Sequence, residues 1–410
     1  MTTLSPFLHP FARPGALPTD FISIVRGEGA AIFDSTGKRY VDGMASLWYC
    51  QVGHGRKEIA DAVHAQMLKL EAYNTFDRFT TDTTEELAAE LVDLAPMPNT
   101  RVFLTSGGSE AVDTAMKIAR QAQVQAGHPE KTIIISRQQS YHGVNYGGVT
   151  ATGLPLNRVG WGELVPDVLH APQHDLDAVG ALLAQNAGKV AAIMTEPVQG
   201  AGGVHPPKDG YLEGLRALAD QHGAYLIFDE VICGFGRLGS WWGAQHYGVT
   251  PDMITFAKGV SSGYQPLGGV LIGPAVRAPL EADTSFMLRH GYTYTGHNSA
   301  CAAGLTNLAI MKREGLVDRA LHIGKRLSDG LFALHTKGKV AEVRGVGAVW
   351  AVSLNEGMNP VAVRDFGLGL GIIMRPVPPS TLAFCPPLVI EDADIDLLVQ
   401  GLEASIDAQS

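Results

Sequence analysis

Lys258 stands where an apolar run, residues 253–257, gives way to Gly259 and a glycine-rich stretch reaching Gly268-Gly269. A lysine at the mouth of a buried strand is costly unless it is paired or neutralised. A neutral lysine amine is a nucleophile, and Schiff-base chemistry needs one. Three other apolar runs end in polar side chains of the same kind of promise: Ser106 after residues 102–105, Glu196 after 190–194, and Asp229 after 224–228. If these runs are parallel strands of an open α/β sheet, their carboxyl ends form the edge where ligands bind. Four separate segments would then deliver chemistry to one place.

Each segment also has a plainer meaning. Thr105-Ser106-Gly107-Gly108-Ser109-Glu110-Ala111 lies between an expected strand and an expected helix. Glycines let a backbone approach an anion, and a helix start offers free N–H groups and a positive dipole end, so the segment reads as a phosphate cup. It reads equally as an ordinary N-cap. Asp229-Glu230 could hold a protonated ring nitrogen, with Val231 packed flat on the ring, or could be half of a structural ion pair. Tyr141, in Tyr141-His142-Gly143, could stack on a planar cofactor or be a packed tyrosine. Arg375, at the end of Gly371–Met374, could grip a carboxylate bidentately or sit in a surface ion pair. Thr293 could give a hydroxyl to an anion. Gly234-Phe235-Gly236-Arg237-Leu238-Gly239 matches G-x-G-x-x-G, but no βαβ unit frames it, so a loop folding over the site is the better reading than a dinucleotide fingerprint. His290 and His297 lack metal-ligand spacing, and no metal site is expected.

The elements that must position these groups follow from periodicity. Residues 31–42 read as a hairpin around Asp34-Ser35-Thr36-Gly37. Helical spacing covers 56–70, 82–94, 110–125 and 212–222, and strands are expected at 102–105, 132–135, 190–194, 224–228 and 253–256. Such alternation argues for a mostly parallel sheet covered by helices. Beyond residue 296 the texture changes to long helices at 297–313 and 317–335, short strands near 340–354 and 371–388, and a last helix at 392–407. The expected organisation is an arm and hairpin (1–50) packing with the small domain, a large domain (51–295), and a smaller α+β domain (296–410). With 410 residues, 46% hydrophobic and 18% charged, the chain is long enough for two domains. Its net charge of −10 argues against nucleic acid or an anionic membrane as partner. The apolar runs are too short to span a bilayer, and no signal peptide is visible. Cys50, Cys233, Cys301 and Cys385 are scattered without a C-x-x-C pair, as expected for free thiols in a reducing cytoplasm.

Taken together, these segments resemble the class III, or omega, aminotransferases, which use pyridoxal 5'-phosphate on the type I fold. The resemblance runs from about Gly27 to Pro387, and its most specific blocks are Phe228 to Gly243 and Ile254 to Gly269. It implies that Lys258 forms the Schiff base with the cofactor aldehyde and then shuttles the proton. Asp229 would keep the pyridine nitrogen protonated, Val231 and Tyr141 would sandwich the ring, and Gly108 and Ser109 would bind the phosphate. Glu196 belongs to the same cofactor-binding set. Thr293 would reach the phosphate of a neighbouring subunit, which implies a homodimer with shared active sites that could pair into a tetramer. Gly107 stands where many relatives have a serine.

Within the family, Ile232 replaces the glutamine usual in ornithine, acetylornithine and 4-aminobutyrate enzymes. Asp229 to Arg237, Ser46-Leu47-Trp48, Tyr73 to Phe76 and His290 to Tyr294 are similar to the amine:pyruvate and omega-amino-acid:pyruvate group. That likeness implies a mobile Arg375 that binds the keto-acid carboxylate and swings out for an apolar amine. It also implies a pocket lined by Trp48, Phe76 (from the partner) and Tyr141. Diaminopelargonic acid aminotransferase is the nearest alternative, because it shares a similar Arg375-Pro376…Pro386-Pro387 ending. A racemase or aminomutase on the same fold, and an inactive binding protein, are the others.

Overall fold

The computed structural model describes residues 4–409; the first three residues of the expected arm, and Ser410, lie outside it. Strands β1 (Ile24–Glu28), β2 (Ala31–Asp34) and β3 (Arg39–Asp42) form the N-terminal antiparallel ladder. The turn between β2 and β3 is tied by Asp34, whose Oδ1 accepts from the N–H groups of Thr36 and Lys38 at 2.9 and 3.0 Å. Ahead of this ladder the arm is left open, with Leu8 and Phe11 73% and 81% exposed.

Seven strands build the central sheet: β4 (Arg101–Thr105), β5 (Ile133–Arg137), β6 (Val168–Ala171), β7 (Val190–Thr195), β8 (Tyr225–Asp229), β9 (Met253–Phe256) and β10 (Gly268–Ile272). Their order is β4-β10-β9-β8-β7-β5-β6, and only β10 runs against its neighbours. Side chains alternate between two cores. Leu226 and Phe228 face one apolar cluster and Ile227 the other, while Ile254 and Phe256 face the first and Met253 the second. Both faces are covered, which is why these strands read as unbroken apolar runs. The helix Gly108–Gln125 covers the second face and turns Ala111, Ala115, Ala119 and Ala122 to it; such small side chains let the helix lie close to the sheet.

Because β4, β5, β7, β8 and β9 are parallel, their carboxyl ends share one edge, and Ser106, Glu196, Asp229 and Lys258 sit on it or just beyond it. Among the elements of this half that were not expected from the sequence are β6, β10 and the helices Tyr146–Ala151, Leu176–Gln185, Gly243–Tyr247 and Pro274–Ala282. The start of β10, Gly268-Gly269, looks like loop in sequence. The reason for glycine there is packing, since a Cβ on Gly269 would lie 2.6 Å from the Phe256 ring and 2.6 Å from the Phe103 carbonyl oxygen.

The C-terminal part comprises β11 (Val340–Val346), β12 (Val349–Leu354), β13 (Ile372–Ile373), β14 (Arg375–Val377) and β15 (Thr381–Phe384). Four of these form an antiparallel sheet ordered β11-β12-β15-β14, while β13 pairs parallel with β3. The helices Leu316–Thr336 and Asp392–Asp407 fall where expected, and Pro360–Leu370 is an addition. Leu327, Leu331, Leu398 and Leu402 from the first two are fully buried in the main core. Among the described residues no helix is long and apolar enough to cross a membrane.

Candidate active site

Lys258 opens a single 3-10 turn, Lys258–Val260, in the left-handed region at φ 46°. Few L-residues adopt that conformation, and it persists only where the surroundings enforce it. Two contacts do so. Asn307 Nδ2 donates to the carbonyls of Gly259 and Val260 at 2.8 and 3.0 Å, and the Gln51 amide fills the space in which a Gly259 side chain would lie. Burial pushes the Lys258 amine below its ordinary value; the charges of Asp229 and Glu196 oppose the shift, and Arg375 adds to it.

Asp229 ends β8 and is only 5% exposed. Its Oδ1 accepts from the Val231 N–H at 3.1 Å, and its Oδ2 lies 2.7 Å from His142 Nδ1. On the opposite wall, the helix Gly108–Gln125 makes its first backbone bond from Ala111 N–H to the Gly107 carbonyl at 3.0 Å. The N–H groups ahead of that bond have no partner within the helix, and they carry the positive end of its dipole. Glu110 Oε2 accepts from Ser106 N–H at 2.8 Å, but the cap position is Gly107 and no side chain caps the helix, so the ordinary serine N-cap does not form. Close approach defines the cup. A Cβ on Gly108 would lie 3.0 Å from Val231 Cγ1. One on Gly143 (φ 103°) would lie 2.5 Å from Ser109 Oγ, which itself accepts from Val144 N–H at 3.1 Å. At Gly107 the space is open.

These groups border one cavity of about 270 Å³, together with Tyr141, Glu196 and Ile232. Glu196 is tied down by backbone, accepting from Tyr141 N–H at 2.9 Å and Gly200 N–H at 3.0 Å, and burial pushes its carboxyl above the usual range. It holds the Tyr141 loop rather than offering a free carboxylate. Arg375 begins β14 beside Tyr141, partly buried. Among the described residues it makes no ion pair, and its Nε is buried without a hydrogen-bond partner.

The expected substrate residues are placed less uniformly. Trp48 does not line the cavity. Ala45, Ser46 and Trp48 take positive φ, and this kink turns the indole into the apolar cluster of Met44, Val198 and Ile232, where it is 2% exposed. The adjacent Tyr49 borders the cavity instead. Phe76 is 48% exposed and lies against Gly291; Thr293 is exposed on the same segment, and neither borders this chain's cavity. Of the residues bordering the site that carried no assignment from the sequence, two have side chains of chemical interest. Tyr49 follows Trp48 directly. His142, fully buried, follows Tyr141, and its link to Asp229 crosses 87 positions of chain.

The arrangement suits an aldehyde-bearing, phosphorylated, basic heterocycle. An amine, a carboxylate and a glycine cradle at a helix start border one cavity, and these are the groups that pyridoxal phosphate requires. The pattern of the family "Aminotransferase class-III" matches residues 13–406. The putrescine–pyruvate aminotransferase of Pseudomonas aeruginosa is 36% identical over 92% of this chain and 88% of its own length. An amine transaminase from an uncultivated Pseudomonas species, solved in its pyridoxal-phosphate-bound form, superposes with a TM-score of 0.94 at 34% identity over the whole of both chains. An (S)-enantioselective omega-transaminase from Thermomicrobium roseum gives 0.94 at 37% identity, covering 98% of this chain and 96% of its own. The chain therefore belongs to the class III aminotransferases, enzymes that use pyridoxal phosphate to pass an amino group from an amine to a keto acid.

Proposed function

We propose that the physiological reaction takes the amino group of a hydrophobic primary amine or an omega-amino acid and gives it to pyruvate, with both substrates using one pocket in turn. The observation that carries this is Arg375: a guanidinium that does not itself border the cavity but lies close enough to Tyr141 and Lys258 of its wall to act on their charge, partly buried and without a carboxylate of its own chain to pair with among the described residues. Such a group is satisfied by a substrate carboxylate gripped through two N–H donors. When an uncharged amine side chain takes its place, the arginine must leave, and nothing in the chain ties it down. Ile232, 6% exposed at the cavity wall, offers an apolar surface rather than a hydrogen bond.

When bound, pyridoxal phosphate supplies the electron sink for breaking a bond at the substrate carbon. In this reading Gly108 and Ser109 hold its phosphate, Val231 and Tyr141 flank its ring, and Asp229 holds the proton on the ring nitrogen. Lys258, whose amine burial pushes below its ordinary value, takes the proton from the amine-bearing carbon and returns it one position away. Phe76 and Thr293 serve the cavity of a second copy of the chain. Their exposure on one surface segment, and the exposed apolar arm at Leu8 and Phe11, support a homodimer. The four buried, unpaired cysteines support a cytoplasmic setting.

The test is Arg375→Ala in the purified enzyme. kcat/KM for pyruvate is expected to fall by about tenfold to a hundredfold, the cost of losing a bidentate charged contact. The half-reaction with 1-phenylethylamine should change by no more than about threefold. Equal losses for both substrates would overturn the reading.

A further inference from the structure

The turn that carries Lys258 is held only weakly by its own backbone. Its internal bonds, from Val260 N–H to the Ala257 carbonyl and from Ser261 N–H to the Lys258 carbonyl, measure 3.2 and 3.3 Å, long against the usual value of about 3.0 Å. The positive φ at Lys258, 46°, adds a cost that something outside the turn must offset. The firmer bonds come from 48 and 47 positions further along the chain. Asn307, fully buried in the middle of the helix Asn298–Arg313, donates from Nδ2 to the carbonyls of Gly259 and Val260 at 2.8 and 3.0 Å. Carbonyl oxygens only accept, so the amide must turn its NH2 toward them. Its Oδ1 is buried and meets no partner among the described residues. An unpaired buried oxygen costs stability, so the amide is not satisfying the needs of its own helix. Around Gly259 the turn has little room to shift, because Gln51 and Phe235 fill the space in which a side chain there would lie. Asp229 and Glu196 ride on strands of the central sheet, whereas the lysine's turn is fixed from outside that sheet.

We propose that Asn307 is a positioning residue that acts through Lys258, holding the backbone from which the amine reaches the substrate carbon and so setting the distance and angle of its proton transfer. This rests on the reading that Lys258 carries that proton. A reacting group displaced by about 1 Å can lose on the order of a hundredfold in rate. The turn itself does not bind the amine, so the loss belongs to kcat rather than to KM.

The experiment compares the parent holoenzyme with Asn307→Leu, which keeps the size of the side chain and removes both donors. The Leu variant should lower kcat by about tenfold to a hundredfold, with KM for 1-phenylethylamine within about twofold of the parent. The visible circular dichroism of the lysine-bound cofactor, read without substrate, should weaken per cofactor bound, because the lysine no longer holds one orientation. Parental kcat and dichroism in the Leu variant, or a loss confined to KM, overturns the proposal. Should the Leu variant fail to hold cofactor, Asn307→Ala removes the donors without adding bulk and is read in the same way. Lys258→Ala separates the two levels. In the rate that remains in that variant, with methylamine added as a proton carrier, Asn307→Leu should cost no more than about twofold, since both changes disable one group. If the two losses multiply in full, only the role of Asn307 falls. If Lys258→Ala alone keeps parental transamination, the reading of Lys258 falls.

Discussion

The two halves of the cavity are built differently. On the cofactor half, polar groups are satisfied by the protein itself: Asp229 by His142 and Val231, Glu196 by two backbone N–H groups, Ser109 by Val144, and the Lys258 turn by Asn307. All of them sit at or just past strand ends of one sheet. On the substrate half, Arg375 arrives from a different sheet and is unpartnered, Ile232 is held only by packing, and Phe76 and Thr293 face away from this chain's own cavity. In the proposed reading, fixed chemistry is mounted on rigid elements, and selection on an arginine that moves and on residues supplied by a second copy.

The contrast is broken most severely from the rigid half. Lys258→Ala should reduce transamination by at least about 10³-fold, because the nucleophile and the proton carrier are lost together. The visible band of the lysine-bound cofactor should vanish with it. Covalent trapping of cofactor by borohydride in the alanine variant would remove Lys258 from its role. No single change on the substrate half should approach this loss.

The sealed half should also be the pH-sensitive one in stability. Glu230, directly behind Asp229, is fully buried, and burial pushes its carboxyl up to about 7 even though Ala244 and Gly243 donate their N–H groups to it. An acid whose pKa is raised on folding contributes stability that is complete below the unfolded value and lost as pH rises through the folded one. The window is therefore about 4.5 to about 7, and the change is at most about 3 kcal/mol. Glu230→Gln loses a hydrogen bond at every pH but has nothing to titrate. Its deficit against the parent, measured by urea unfolding, should shrink between pH 4.5 and pH 7. A constant deficit would show that Glu230 ionises freely in the fold.

The same division explains what could be read from the chain. Lys258, Asp229 and Gly108-Ser109 stand beside strand ends that are long apolar runs, so both the strands and the polar outliers are visible locally. The strand β10 was hidden because its opening glycines serve the Phe256 ring and the Phe103 backbone rather than a turn. Trp48 was misplaced because three positive φ values in five residues rotate the segment by an amount that no periodicity encodes. His142 was passed over because its partner is distant in sequence. Phe76 and Thr293 are exposed and do not border this chain's cavity, and in the proposed reading their place is set by a second chain, which a single sequence does not display.

On the substrate half, effects should be selective rather than large. Ile232→Ala removes an apolar side chain that fills the wall against Gly200, where a Cβ would lie 2.5 Å from Ile232 Cδ1. It should shift the preference between a bulky and a small amine donor by about tenfold, the worth of one or two methylenes in an apolar pocket. Gly200→Ala should press Ile232 inward and shift the preference the opposite way. If both variants favour the same donor, Ile232 does not gauge substrate size.

The smallest expected effect returns to the cofactor half and measures how much of the cup is backbone. Ser109→Ala deletes one hydroxyl but leaves the helix start, its dipole and the glycine approach intact. Cofactor affinity, titrated into apoenzyme, should fall only about fivefold to tenfold, the worth of a single hydrogen bond. Gly143→Ala, by contrast, would drive a methyl into Ser109 Oγ from a backbone at φ 103°, so it should weaken cofactor binding more than deleting the hydroxyl does. The reverse order would mean that the anion is held by the serine side chain and not by the shape of the loop.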